Sequence, residues 1–146
     1  MILIDANLLL YAYDMASPHH RRARDWLRGV LSGDEEVRIP LASALAFIRI
    51  GTNAAVFDRP LEPVAAVGIV ESWFEQDGVA LALPTGQHWR TLRSMVETGQ
   101  ARGPLVSDAQ LAALTLEHGG VLMTTDRDFA RFEGLKFSNP LTSAKA

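Results

Sequence analysis

Three acidic side chains stand at positions where a parallel sheet would bring them together. Asp5 follows the apolar run 2–4, Asp126 follows a second apolar run at 121–123, and Asp108 opens a helix-like segment between them. Open α/β folds bind ligands beyond the carboxyl ends of their strands, so these acids are expected to meet at one edge of a sheet. Clustered carboxylates raise each other's pKa or recruit a cation, and their oxygens suit Mg²⁺ or Mn²⁺. The sequence therefore predicts metal-assisted phosphate chemistry.

Each acid also has a structural explanation when it is taken alone. Asp5 is a favoured N-cap for a helix over residues 6–14, and Asp108 suits the positive end of a helix dipole. A turn that begins a short helix would account for Asp126 and Asp128. We favour function for this last segment, because it repeats the strand-then-acid pattern of Asp5. The side chains expected to support the site are its polar neighbours Asn7, Ser107 and Thr125.

The elements that must position these residues follow from the alternation of apolar runs with segments of helical period. This pattern predicts an α/β fold with a parallel sheet covered by helices, in one domain over residues 1–141 with a frayed tail at 142–146. Strands are expected at residues 1–5, 37–39, 79–83 and 121–123, with an edge strand at 135–137. Helices are expected to start at Ser17-Pro18, Pro40, Pro63, Thr85 and Ser107, with a short helix over 128–132.

Composition excludes several classes of protein. The chain has no cysteine, which rules out a disulfide scaffold, a thiolate zinc site and a cysteine nucleophile. Its net charge of −3 provides no overall attraction to nucleic acid, so any RNA or DNA binding must depend on local basic residues and on metal. The apolar start lacks a basic leader, and no apolar run reaches transmembrane length, so the expectation is a cytoplasmic protein without membrane attachment.

Four segments together resemble a known family. They are ILIDANLLLYA at 2–12, FIRIGTN at 47–53 with Val56-Phe57, DAQLAAL at 108–114 and TTDRDF at 124–129. In this order and spacing they resemble the PIN-domain nucleases, in particular the VapC-type toxins of bacterial toxin–antitoxin pairs. The resemblance covers nearly the whole chain.

This resemblance implies a three-layer α/β/α fold with a central parallel sheet of four or five strands. It further implies an endoribonuclease that depends on Mg²⁺ or Mn²⁺ and hydrolyses structured RNA such as tRNA. A VapB-like antitoxin and a second copy of the chain are the implied partners. By position, Asp5, Asp108 and Asp126 would be the metal-binding catalytic acids, Asp128 an auxiliary acid and Asn7 a polar supporter.

One acid of the family pattern is missing. Many relatives have Glu immediately before the phenylalanine that corresponds to Phe47, whereas this chain has Ala46. A natural subgroup with different metal ligation and an engineered change that lowers toxicity both remain open. Either one would weaken a second metal site more than the first. Glu117 is a poor substitute, because it follows Asp108 by nine residues and so faces the other side of the same helix.

Basic residues and rival functions complete the prediction. Arg49 and Arg102 are candidate RNA phosphate contacts, whereas Arg21, Arg24 and Arg28 recur at helical spacing and are favoured as a solvated face. An aspartyl phosphatase would need an acid where Asn7 stands, and a phosphoacceptor domain would need paired acids beside the first strand. Two rival functions remain open: an inactive PIN-fold binding protein, with Ala46 as its symptom, and a metal-dependent phosphoesterase that is not a toxin.

Overall fold

A computed structural model of the protein describes residues 1–142 of the chain. Its centre is a sheet of five parallel strands, in the spatial order β3-β2-β1-β4-β5. The strands are β1 (Ile2–Ile4), β2 (Val37–Pro40), β3 (Val79–Ala82), β4 (Val121–Met123) and β5 (Phe137–Ser138). The chain moves outward on one side of β1 through β2 and β3, and then returns to the other side at β4. The point where the strand order reverses therefore lies between β1 and β4.

Six α-helices and one 3-10 helix connect the strands. They are α1 (Ala6–Tyr11), α2 (His20–Leu31), α3 (Leu41–Gly51), α4 (Pro63–Phe74), α5 (His88–Thr98), α6 (Leu105–His118) and the 3-10 helix Arg127–Arg131. Every helix within residues 1–142 is too short or too polar to cross a bilayer. The α/β fold class and the parallel sheet that the sequence predicted are confirmed.

The sheet separates two apolar cores, because successive side chains of a strand point to opposite faces. On one face, Ile2 and Ile4 of β1 pack with α1, α2, α3 and α4. On the other face, Leu3 packs with α5, α6 and the 3-10 helix segment around Phe129. The protein is thus a three-layer α/β/α structure, and α6 leads directly into β4.

Several predicted helix starts are wrong by one to three residues. Pro40 is extended and ends β2, so α3 starts at Leu41. The Ser17 hydroxyl accepts a hydrogen bond from the His19 amide in a turn that precedes α2. The Thr85 hydroxyl accepts a hydrogen bond from the Gln87 amide in a turn before α5. In both cases the hydroxyl stabilises a local turn instead of the helix end, which is the known competing role of Ser and Thr.

Two further boundaries need correction. Helix α6 begins at Leu105 with Pro104 as its N-cap residue, so Ser107 lies inside the helix and does not cap it. The predicted edge strand at 135–137 is observed as β5 one to two residues later, because Leu122 and Met123 pair with Phe137 and Ser138. Of the predicted tail, residues 143–146 lie outside the described part of the chain.

Candidate active site

Asp5 lies where β1 ends and α1 begins, and both of its carboxylate oxygens are engaged. Oδ1 accepts the Ala6 amide at 2.7 Å, which caps α1. Oδ2 accepts the Thr124 hydroxyl at 2.7 Å. The pKa of Asp5 is raised above its ordinary value, mainly by burial. The hydrogen bonds from Thr124 and Ala6 oppose this rise, and the charge of Asp126 adds to it. Asp5 therefore serves as a cap and also belongs to a group of interacting acids.

Thr124, which follows β4, joins the two strand ends. Its side chain is 1% exposed, and its hydroxyl hydrogen is donated to Asp5. The same oxygen accepts the Asp126 amide at 3.1 Å and faces the Asn7 amide nitrogen at 3.5 Å. One buried hydroxyl thus sets the positions of three predicted site residues. The sequence prediction named Thr125 for this supporting role, but within residues 1–142 the hydroxyl that bonds to Asp5 and Asp126 is that of Thr124.

Asn7 contributes an unusual oxygen. Because Thr124 donates its hydrogen to Asp5, the hydroxyl oxygen can only accept, so the Asn7 nitrogen faces it and the amide oxygen faces elsewhere. That Oδ1 atom is buried and has no hydrogen-bond partner among the described residues. An unpaired buried carbonyl oxygen costs free energy, and buried polar groups of this kind normally have a partner. The site therefore has an unused acceptor next to its acids.

Asp108 lies in the first turn of α6 and interacts with all the other acids. Its pKa is raised to about 6, first by burial and then by the charges of Asp126, Asp5 and Asp128; the charge of Arg131 opposes this rise. These residues come from the ends of β1 and β4 and from the start of α6, which are far apart in sequence. The structure therefore brings the four predicted acids into one electrostatically coupled group, which we call the acidic centre.

Asp126 and Asp128 form the outer part of the acidic centre. Asp126 is extended and caps the 3-10 helix, because its Oδ1 accepts the Asp128 amide at 2.8 Å. Its backbone amide is held by Thr124, so the residue is fixed on both sides. Asp128 is exposed to solvent and only its backbone is tied to Asp126. Asp128 is thus the one solvent-exposed acid of the four.

The residues of the acidic centre fit a divalent cation by charge and by ligand type. Carboxylates that raise each other's pKa are stabilised by a cation, and carboxylate and amide oxygens are ligands of Mg²⁺ and Mn²⁺. The unpaired Asn7 oxygen adds a further acceptor. Within residues 1–142, however, no three acidic or histidine side chains stand where they could hold one ion without moving.

Three other predicted residues lie on α3 and in the loop before α6. Ala46 is half-buried on α3, beside the fully buried Phe47. Arg49 is exposed in the last turn of α3, and Arg102 is exposed in the loop before α6. Arg131, which the sequence reasoning missed, is the cation whose charge acts on the pKa of Asp108. Its position three residues after Asp128 was the available signal.

A groove of about 770 Å³ opens at the far end of α1, the helix that Asp5 caps. Its wall is largely apolar and includes Leu10, Tyr13 and Phe47. Two acids, Asp14 and Asp58, and one basic residue, Arg59, also line it. The groove thus offers apolar contact together with a small excess of negative charge, a combination that would accept an apolar segment carrying a basic residue.

Comparison with known proteins agrees with this geometry. Residues 2–135 match the PIN domain family. The chain is 39% identical to ribonuclease VapC37 of Mycobacterium tuberculosis over 140 residues, which cover 96% of this chain and 97% of the relative. It is 34% identical to ribonuclease VapC33 of the same organism over 141 residues, covering 97% and 99%.

Solved structures with the same fold include VapBC and FitAB bound to DNA. One is DNA-bound VapBC from Salmonella typhimurium, with a TM-score of 0.63 at 18% identity, covering 95% of this chain and 97% of that one. Another is FitAB bound to an IR36 DNA fragment, with a TM-score of 0.66 at 15% identity, covering 99% of each chain. At these identities the likeness concerns the fold.

Proposed function

The chain belongs to the PIN domain family, and on that premise we propose that it is an endoribonuclease toxin of a toxin–antitoxin pair, dependent on Mg²⁺ or Mn²⁺. The observation that carries this proposal is the acidic centre, in which three other carboxylates help to raise the pKa of Asp108 to about 6. Such a group is unfavourable by itself and suited to a cation. Full-length relatives that are named ribonucleases support RNA as the substrate.

Asp5, Asp108 and Asp126 would hold the cation, with the Asn7 Oδ1 atom as a further acceptor. When bound, such a cation lowers the pKa of a bound water and neutralises charge on the phosphate. Thr124 keeps one Asp5 oxygen fixed, and Asp126 is fixed through its backbone. Asp128, which is exposed, can accept a proton at the entrance. Hydrolysis by water leaves a 5′-phosphate and a 3′-hydroxyl, whereas a cyclic phosphate product would contradict this mechanism.

A VapB-like antitoxin is the proposed protein partner. Support comes from the solved structures with the same fold, which are described as VapBC and FitAB bound to DNA. We assign the antitoxin segment to the groove at the end of α1, where Asp14 and Asp58 would meet its basic residues. A homodimer and a structured RNA substrate such as tRNA are parts of the same proposal, and RNA as substrate implies activity in the cytoplasm.

Ala46 supports a second candidate, a PIN-fold binding protein that has lost catalysis. The family acid at this position would come from α3, and an alanine provides no ligand there. In this alternative the acidic centre would still bind a cation and RNA, but hydrolysis would be slow because a second cation is held poorly. A metal-dependent phosphoesterase outside any toxin pair would instead cleave small phosphodiesters.

A metal titration followed by RNA cleavage separates these possibilities. The chain as it stands, Asp5→Asn and Ala46→Glu would be incubated with RNA at increasing Mg²⁺ or Mn²⁺. The proposal expects cleavage by the unchanged chain and its loss in Asp5→Asn. Cleavage only by Ala46→Glu would identify a disabled nuclease, and cleavage by none of the three would contradict the proposed activity. A small phosphodiester substrate in parallel tests the phosphoesterase alternative.

A further inference from the structure

Arg131 ends the 3-10 helix that follows β4, and its backbone is held by the core. The next residue, Phe132, is 3% exposed and packs in the core on the α5–α6 side of the sheet. Phe132 also lies directly against Gly99, where an added Cβ atom would come within 2.6 Å of its ring. The close packing leaves the main chain at Arg131 little freedom.

The guanidinium of Arg131 is held as well. Its Nη1 atom donates to the Gly99 carbonyl at 3.0 Å, across 32 residues of chain. A guanidinium has five N–H groups, so this bond leaves four. Within residues 1–142, no carboxylate lies within salt-bridge distance of Arg131, and the residue is exposed to solvent. The charge is thus anchored, accessible and not neutralised by a partner.

This anchored charge shares a short helix with the outer part of the acidic centre. Asp126 caps the 3-10 helix that Arg131 ends, and Asp128 and Arg131 are three residues apart in it, a spacing that puts two residues on the same side of a 3-10 helix. The charge of Arg131 also acts on Asp108, as do the charges of Asp126, Asp5 and Asp128. If these four carboxylates are ionised, one divalent cation leaves the centre with a formal charge of about −2, a repulsive environment for an RNA phosphate. A fixed guanidinium reduces that repulsion and offers N–H donors to phosphate oxygens.

We propose that Arg131 binds the RNA phosphate that enters the acidic centre, with the Gly99 carbonyl holding its guanidinium in place. This assignment rests on the proposed function and adds a substrate-binding residue to it. Preorganisation supports it, because an anchored side chain loses less rotamer freedom when it binds. The alternative is a purely structural role, in which Arg131 only fastens the loop between α5 and α6 through Gly99.

The salt dependence of RNA binding separates these roles. Affinity for unfractionated tRNA would be measured with Ca²⁺ in place of Mg²⁺, over a range of salt concentrations, for the unchanged chain, Arg131→Gln and Arg131→Lys. Each phosphate contact contributes about 0.7 to 0.9 to the slope of log affinity against log salt. Arg22→Gln is the matched control, because Arg22 also donates Nη1 to a backbone carbonyl, that of Leu141, at 3.1 Å.

We expect Arg131→Gln to weaken tRNA binding by about tenfold or more and to make the slope shallower by about one contact. Arg131→Lys should keep the slope of the unchanged chain, because it retains the charge. Arg22→Gln should keep both slope and affinity. In cleavage assays with Mg²⁺, the effect of Arg131→Gln should appear mainly as a higher KM.

A salt-dependence slope that stays unchanged in Arg131→Gln would overturn the assignment. A loss of tRNA affinity in Arg131→Lys as large as in Arg131→Gln would also overturn it, because both variants lose the bond to Gly99 and only one loses the charge. In both cases cleavage by the unchanged chain would leave the proposed function standing. If the unchanged chain neither binds nor cleaves tRNA, the proposed function and the role of Arg131 fail together.

Discussion

Helix α6 carries an acid near each end, and the pKa values of these two acids are shifted in opposite directions. At the start, Asp108 has a pKa raised to about 6 by burial and by its acidic neighbours. Near the end, the pKa of Glu117 is lowered. The helix dipole alone would produce the reverse order, because it favours an anion at the start of a helix and disfavours one at the end. The neighbouring side chains therefore outweigh the helix dipole at both ends.

Glu117 is a buried acid whose two carboxylate oxygens both accept hydrogen bonds. Its side chain is only 1% exposed, and this burial by itself raises its pKa. Hydrogen bonds from His88 Nδ1 and from the Thr85 amide and hydroxyl, the latter two at 2.9 and 2.7 Å, lower the pKa by more. His118 also ties the same loop to α6, through the Leu83 carbonyl at 2.9 Å. Glu117 thus fastens the segment before α5 to the end of α6.

Glu117 stabilises the fold, whereas Asp108 lies in a group of acids that a bound cation would stabilise. Glu117 has hydrogen-bond donors for both oxygens and gains from being ionised. Asp108 is surrounded by like charge, so ionisation costs free energy until a cation arrives. A pKa that is raised by burial together with clustered like charges, near the switch point of a sheet, is typical of a functional site.

Asp108→Asn should change activity more than any other substitution in α6. We expect RNA cleavage to fall by about 100-fold or more, because the centre loses a charged ligand. The folded state should be no less stable than that of the unchanged chain at about pH 7.5, because repulsion within the acidic centre is relieved. Single-turnover cleavage and urea unfolding without metal measure the two effects. A loss of stability would show that Asp108 is structural.

Glu117→Ala should produce the opposite pattern. Removing this carboxylate leaves the buried His88 and the Thr85 donors without their acceptor, at a cost of about 3 kcal/mol in the free energy of unfolding. Cleavage per folded molecule should stay within about twofold, on the order of a surface change. Glu97→Ala is the control, because Glu97 is exposed on α5. Equal destabilisation by both variants would contradict the assigned role of Glu117.

Divalent cations should stabilise the protein through Asp108, at the start of α6, and not through Glu117, near its end. With Mn²⁺ at about 100 times its Kd, the unchanged chain should gain roughly 2.7 kcal/mol of stability, and Glu117→Ala should gain as much. Asp108→Asn should gain little. The affinity for Mn²⁺ should also fall as pH drops below about 6, because protons compete for Asp108. Calorimetric titration at about pH 5 and about pH 7.5 measures this, and an affinity independent of pH would count against the site.

The smallest expected effect is the pH dependence of stability without metal. The folded pKa of Asp108 is about 6 and its ordinary value is 3.8, so the folded state binds more protons between these values and stability falls as pH rises through them. Glu117 behaves oppositely: its contribution is present above its ordinary pKa of 4.5 and is lost as pH falls through the lower folded value.

Urea unfolding of the unchanged chain, Asp108→Asn and Glu117→Ala at pH values from about 3.5 to about 7.5 would resolve the two slopes. As pH rises from about 4 to about 6, the stability of Asp108→Asn should increase relative to that of the unchanged chain. Above about pH 7 the difference in the free energy of unfolding should be constant. A constant difference over the whole range would mean that the pKa of Asp108 is ordinary.

Much of the fold could be predicted because it depends on local pattern. The apolar runs before Asp5 and Asp126 identify two strands, and strand-then-acid repetition indicated that both acids would reach the same edge. The helix starts were harder, because Ser17 and Thr85 have hydroxyls suited to a cap but form local turns outside the helix. A cap residue and a turn residue have the same side chain, so the sequence does not distinguish them.

The parallel α/β architecture and the positions of the four acids could be predicted from the sequence, because periodicity and strand-end position are properties of short segments. The neighbours of each acid depend on the tertiary structure. Thr124 rather than Thr125 supports Asp5, the charge of Arg131 acts on Asp108, and Glu117 bonds to His88. The hydrogen bonds of Glu117 to His88 and of Asp5 to Thr124 join residues 29 and 119 positions apart. Charge and hydrogen bonding act through space, so the pKa of each acid depends on the packing of the sheet and helices.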